Sequence, residues 1–148
     1  MLQKIMDAAQ KLGLSTISLN SAVARSLEIH PTDAWILTYM QDLPPDAPLT
    51  PGDLARITGL TTGAITGVID RLEAHGYVRR ERDPVDRRKV ILVPTQESVK
   101  VANAFQPLVE GCMDLCLKYS PNELNALLTY LEGSVAVAEE TIGRLRQI

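Results

Sequence analysis

The chain has 148 residues, 45% hydrophobic and 22% charged, with a net charge of −3. That length suits one domain with a real core, and the composition excludes a disordered or fibrous chain. No apolar run reaches the roughly 18 residues that span a bilayer, and the opening MLQKIMDAAQK lacks the pattern of a signal peptide, so no membrane partner and a cytoplasmic location are expected.

Residues from about 4 to 29 read as mostly helical, with Ile5, Ala9, Leu12, Leu19, Val23 and Leu27 at the apolar positions. Gly13 and the hydroxyl-rich residues 15–18 weaken the middle and leave room for a kink. Thr32 is placed to cap a short second helix holding Trp35, Ile36, Tyr39 and Met40. The three prolines of residues 42–48 predict a loop. Thr50-Pro51-Gly52-Asp53 is a strong helix start, with Thr50 as N-cap, Pro51 first in the helix and Asp53 completing a capping box. Gly59 ends that helix, Thr61 caps the next, and Gly76 stops it after His75. Residues 77–82 and 89–93 predict two short strands around Asp83-Pro84-Val85-Asp86. Thr95 caps a long helix to about Tyr119. Ser120-Pro121-Asn122-Glu123 repeats the cap-plus-proline signature. It opens a last helix with Leu124, Leu127, Leu128, Leu131, Val135, Ala138, Ile142 and Leu145 on one face.

The middle of the chain has the pattern of a helix-turn-helix followed by a wing. Such a motif needs a small residue where its helices approach, a turn residue tolerating positive φ, and a β-branched core residue. Ala55, Gly59 and Ile65 supply these, with Leu54, Leu60, Val68 and Leu72 at the other inward positions. The second helix of the motif then presents Thr61, Thr62, Gly63, Ala64, Thr66 and Gly67 outward near its start. Small residues admit the backbone to a major groove, threonine methyls can meet thymine methyls, and the helix N-terminus can take a phosphate. Capping by Thr61 and packing by the glycines is the plainer alternative. Arg71, further along, can reach a phosphate or pair with a wing carboxylate.

Charge is unevenly spread. Residues 79–89 hold six basic and three acidic side chains, a net +3, so the other 137 residues carry −6. An arginine at a hairpin tip suits the negative potential of a minor groove. Asp86 is placed to orient it by a charge-assisted hydrogen bond. A solvated charged hairpin is the bland alternative.

Together these residues resemble the MarR family (multiple antibiotic resistance regulators) over roughly residues 32–95. The strongest run is GLTTGAITGVIDRLEAHGYVRRERDPVDRRKV. The family's wing pattern of Asp, any residue, Arg is matched by Asp86-Arg87-Arg88. The resemblance implies that Arg88 is the minor-groove arginine and Asp86 its partner. It also implies a mainly α fold, a winged helix-turn-helix with a small β-hairpin wing between long terminal dimerisation helices. On that reading residues 1–148 form one domain, with 1–30 and 95–148 for dimerisation and 31–94 for DNA. The partners implied are double-stranded DNA, a second copy of the chain, and a small aromatic or phenolic effector. Gly63 and Gly67 often correspond to more polar residues in the family, which points to sparse base readout and more reliance on shape.

Several residues invite other chemistry. Cys112 and Cys116 lie four apart on one helix face, where redox or metal roles compete with burial in a dimer core, the expected outcome. His30 and His75 have no metal-ligand spacing, so no metal or cofactor is expected. His75 suits a helix C-terminus. His30 is a candidate for an effector pocket. Trp35 is expected in the core, with pocket lining as its second possibility. A protein-binding winged helix without DNA affinity is the alternative function. No nucleophile–base pair or phosphate loop supports an enzyme, so no catalytic residue is named.

Overall fold

The structure is a computed structural model, and it describes residues 1–44 and 47–146. Two compact units make up the chain, Met1–Gln106 and Pro107–Ile148. None of the described helices is long and apolar enough to cross a membrane.

Helix α1 (Leu2–Ser26) runs through the expected weak point without a break. The hydroxyls of Thr16, Ser18 and Ser21 donate to the carbonyls of Leu12, Leu14 and Ile17, so these side chains are satisfied inside the helix instead of competing with it. After α1 the Glu28 N–H donates to the Arg25 carbonyl and the Ile29 N–H to the Ala24 carbonyl. This is a Schellman ending, with Glu28 in the left-handed position at φ 55° where glycine is usual.

Helix α2 (Pro31–Gln41) is capped by His30, not by Thr32. Pro31 occupies the first helical position, so the chain enters the helix earlier than a threonine cap requires. The His30 Nδ1 accepts the Thr32 N–H at 3.2 Å, which replaces the hydroxyl cap. Of the expected loop over residues 42–48, Pro45 and Asp46 lie outside the described residues. Leu49 then bridges Leu92 of the wing, its carbonyl accepting the Leu92 N–H at 2.8 Å.

Helix α3 (Pro51–Thr58) begins with the expected capping box and ends at Gly59, φ 72°. Helix α4 (Thr62–Ala74) is capped by Thr61 and closes at His75, with Gly76 at φ 74°. Strands β1 (Val78–Arg82) and β2 (Val90–Pro94) pair antiparallel, with Arg80 opposite Leu92. Thr95 caps a 3-10 turn (Gln96–Ser98) before helix α5 (Val99–Cys116), which carries Pro107 in its interior. Helix α6 (Pro121–Leu145) starts at the Ser120–Glu123 capping box.

The core of the first unit gathers Ile36, Leu37 and Met40 from α2, Leu54 from α3, Ile65, Val68, Ile69 and Leu72 from α4, and Val78, Leu92 and Val101. Each fully buried aliphatic side chain there contributes roughly 1.5–3 kcal/mol. Two expected inward residues face out: Leu60 is 37% exposed and Trp35 is 41% exposed. The left-handed Gly59 turns the chain so that Leu60 points away from the core. In the second unit, α6 has no buried residue, and Leu127, Leu128, Leu131 and Val135 are exposed. Cys112 and Cys116 are free and exposed in the single chain, not enclosed by it.

Candidate nucleic-acid interface

Helix α4 separates its residues cleanly by face. Ile65, Val68, Ile69 and Leu72 point into the core, while Thr61, Thr62, Gly63, Ala64 and Thr66 are exposed. Thr61 spends its hydroxyl on the Ala64 N–H at 3.2 Å, and Thr66 donates to the Thr62 carbonyl at 2.9 Å. The N–H groups of the first turn, those of Thr62 and Gly63 among them, have no carbonyl earlier in the helix to bond. That end is therefore suited to an anion.

Packing does not explain the two glycines. A Cβ at Gly63 would meet nothing within 4 Å, and one at Gly67 would meet only the Arg71 guanidinium at 3.9 Å. Each glycine costs its helix about 1 kcal/mol relative to alanine, a cost nothing inside the chain requires. The exposed face of α4 is thus a smooth strip with little side chain on it.

Arg71 is placed differently from expectation. It does not pair with a wing carboxylate. Its Nε and Nη2 donate to Asp33 of α2 at 3.0 and 2.7 Å, a two-point fork. Asp33 is buried, 3% exposed, and its hydrogen bonds hold the Arg71 pKa above the ordinary arginine value. The sequence hides this pair, because its members stand 38 positions apart. An acidic residue in the first turn of α2 is ordinary on helix-dipole grounds alone.

The basic stretch divides in two. Arg80 reaches back from β1 to both Asp70 and Glu73 of α4, and Arg79 pairs with Glu81. Arg87, Arg88 and Lys89 form no ion pair among the described residues. Arg82 likewise has no ion pair among the described residues, its guanidinium donating to the Arg87 carbonyl at 3.0 Å, so the cations left available sit at or beside the wing tip. Asp86 shapes that tip, but not by holding the Arg88 guanidinium: its Oδ1 accepts the Arg88 backbone N–H at 3.1 Å. A short carboxylate reaches the amide two residues on more readily than it reaches a long side chain's end. Asp83 works likewise, accepting the Val85 and Asp86 N–H groups at 2.7 and 2.9 Å, and these bonds hold its carboxyl below the usual range.

Trp35 lines an open cavity of about 410 Å³ with Asn20, Pro31, Thr32, Thr58 and Leu60, between α1, α2 and the helix-turn-helix turn. The Leu60 and Trp35 side chains missing from the core are thus both found here. His30 is not one of the lining residues; its ring caps α2. His75 Nδ1 lies 2.8 Å from the Arg71 carbonyl and its ring stacks on Tyr77, in keeping with a helix-terminal role. Among the described residues no group of three His, Cys, Asp or Glu is arranged to hold a metal ion.

Comparison with known proteins agrees with this geometry. The model of the MarR family matches residues 27–89. The chain is 41% identical to the HTH-type transcriptional regulator YcgE of Bacillus subtilis over 139 residues, covering 93% of this chain and 88% of that one. The transcriptional regulator Tm0710 of Thermotoga maritima superposes with a TM-score of 0.60 at 26% identity, over 95% of this chain and 98% of its own. The MepR F27L mutant of S. aureus, solved bound to an oligodeoxyribonucleotide, has the same fold, with a TM-score of 0.60 at 16% identity over 90% and 97% of the two chains. The exposed strip of α4, the wing beside it and these likenesses together place the chain in the MarR family of winged-helix, DNA-binding transcriptional regulators, which are not enzymes.

Proposed function

We propose that the protein is a homodimeric, sequence-specific repressor that binds an inverted-repeat operator and releases it on binding a small aromatic or phenolic molecule. The observation that carries this is the juxtaposition of a bare recognition face on α4 with a wing tip whose Arg87 and Arg88 form no ion pair among the described residues. Thr61, Thr62, Gly63, Ala64 and Thr66 lie along the major groove, where methyl contacts and a close backbone replace long side chains. Arg87 and Arg88 enter the minor groove, and Asp86 presents them by fixing the backbone of the tip.

Residues 31–94 form the DNA-binding part, and residues 1–30 and 95–148 supply the dimerisation helices of the same domain. Exposed leucines on α6 support the pairing, since a monomer rarely leaves so large an apolar surface in water. NicR of Pseudomonas putida, 29% identical over 97 residues, is a transcriptional repressor, which supports that sign of regulation. The Trp35 cavity supports an effector. Its ring, with the Thr32 hydroxyl beside it, suits a flat molecule with a hydrogen-bonding group, and among the described residues no basic side chain lines it to favour a carboxylate over a phenol.

The test begins with duplexes selected from a random library by the wild-type protein. Wild type should bind them with affinity that falls steeply with salt. Arg88→Ala should lose roughly 1–3 kcal/mol of that affinity. Undiminished binding by Arg88→Ala removes the minor-groove assignment. Absence of any salt-sensitive DNA binding by the wild type would favour a protein partner instead.

A further inference from the structure

We propose that the Asp33–Arg71 pair is a positioning clamp: it fixes the angle at which α4 is offered to DNA, and Arg71 itself does not contact phosphate. This rests on the reading of α4 as the recognition helix. The geometry is specific. Asp33 lies in the first turn of α2, is almost wholly buried, and accepts both forks of one guanidinium from α4. A planar guanidinium gripping a planar carboxylate at two points fixes rotation as well as distance, which a single hydrogen bond does not.

The far side of the same helix is held as well. Arg80 of the wing grips Asp70 and Glu73, the former next to Arg71 and the latter two residues beyond it. Helix α4 is therefore braced between α2 and the wing by two arginines, and the three elements form one reading head. Of the two braces, Arg80 is 31% exposed against carboxylates that are 59% and 40% exposed. The α2 brace joins a guanidinium that is 46% exposed to a carboxylate with 4% exposure. Salt screens a pair less where one member is out of water, so the α2 brace, with its buried carboxylate, should weaken less with salt than the Arg80 brace, whose three side chains are all partly exposed.

The experiment compares wild type, Asp33→Asn, Arg71→Lys, Arg71→Gln and the Asp33→Asn/Arg71→Gln double variant. Each is titrated with the library-selected duplex and with a scrambled duplex over a salt series, and melting is followed in parallel. A clamp predicts that either single variant loses about tenfold in affinity for the selected duplex, with scrambled-duplex binding and the slope of log K against log salt both unchanged. The double variant should be no worse than the worse single one. Arg71→Lys, which keeps the charge and the fold but loses the fork, should also lose selectivity. A phosphate contact predicts the reverse: Asp33→Asn and Arg71→Lys bind as wild type, and Arg71→Gln lowers the salt slope by about one. That result overturns the clamp, as does wild-type selectivity in all the variants, which would leave the pair a purely stabilising one. Failure of the wild type to select any duplex would instead fail the recognition-helix reading.

Discussion

The two units of the chain solve the problem of burial in opposite ways. In the first, α2, α3, α4, the wing and the start of α5 enclose a core, with Ile36, Leu37, Leu54, Ile65 and Val101 at or near zero exposure. In the second, α6 runs for 25 residues without burying one, and its leucines stand 42–53% exposed at Leu127, Leu128 and Leu131. Yet both units begin a helix with the same local device: Thr50 with Asp53 opens α3, and Ser120 with Glu123 opens α6. Local capping is therefore not what separates a finished region from an unfinished one. The difference lies in whether the apolar face has anything to meet.

That contrast can be broken most sharply at α6. Leu131→Asp is expected to abolish self-association, since each copy would bury an unpaired carboxylate at about 3 kcal/mol or more. If the proposed dimer forms, the expected result is a wild type that sediments as a dimer and a variant that sediments as a monomer at the same concentration; a variant that still pairs would place the interface elsewhere. Leu72→Ala strikes the finished region instead, leaving a cavity beneath α4. It should cost about 3 kcal/mol in urea unfolding, and a loss below about 1 kcal/mol would mean the core closes around the gap.

The capping boxes allow a finer comparison by pH. Hydrogen bonds from the Thr50 hydroxyl, Arg56 and the Thr50 amide lower the Asp53 pKa to about 2. A depressed folded-state pKa stabilises above the unfolded value and loses that contribution as pH falls through the folded one. Asp53 should therefore contribute fully at neutral pH and fade between about pH 4 and 2. Partial exposure limits its worth to about 1 kcal/mol. Asp53→Asn should flatten the stability profile across that window; an unchanged acid limb would deny the carboxylate its role. The smallest effect is expected at Glu28, whose left-handed backbone suits glycine better. Glu28→Gly should raise stability by about 0.5–1 kcal/mol, and a thermal melt that moves downward would show that the side chain has a compensating contact.

Much of this was legible in the sequence because the deciding interactions are local. Thr50 and Asp53, Thr61 and Ala64, and the positive-φ glycines Gly59 and Gly76 act within a few residues of one another. The wing's position followed from turn chemistry alone. What escaped was set by distant groups or by competing local ones. His30 took the cap from Thr32 because Pro31 fixed where α2 starts. Nothing in residues 31–41 names Arg71 as the partner of Asp33. The helix-turn-helix pattern put Leu60 inside and Trp35 was expected in the core before a pocket, whereas both line one cavity. At the site, the basic stretch was visible, but the withdrawal of Arg80 from it depends on where α4 puts Asp70 and Glu73, while Arg87 and Arg88 form no ion pair among the described residues.

That division of charge also bears on how the protein arrives at DNA. Outside residues 79–89 the chain carries −6, and a polyanionic duplex repels it. The basic wing is the part that a duplex attracts, so encounters that bring the wing first are expected to be favoured. An acidic protein can in this way associate quickly with an acidic polymer, and at low salt its association rate, more than its residence time, should carry the mark of Arg87, Arg88 and Lys89.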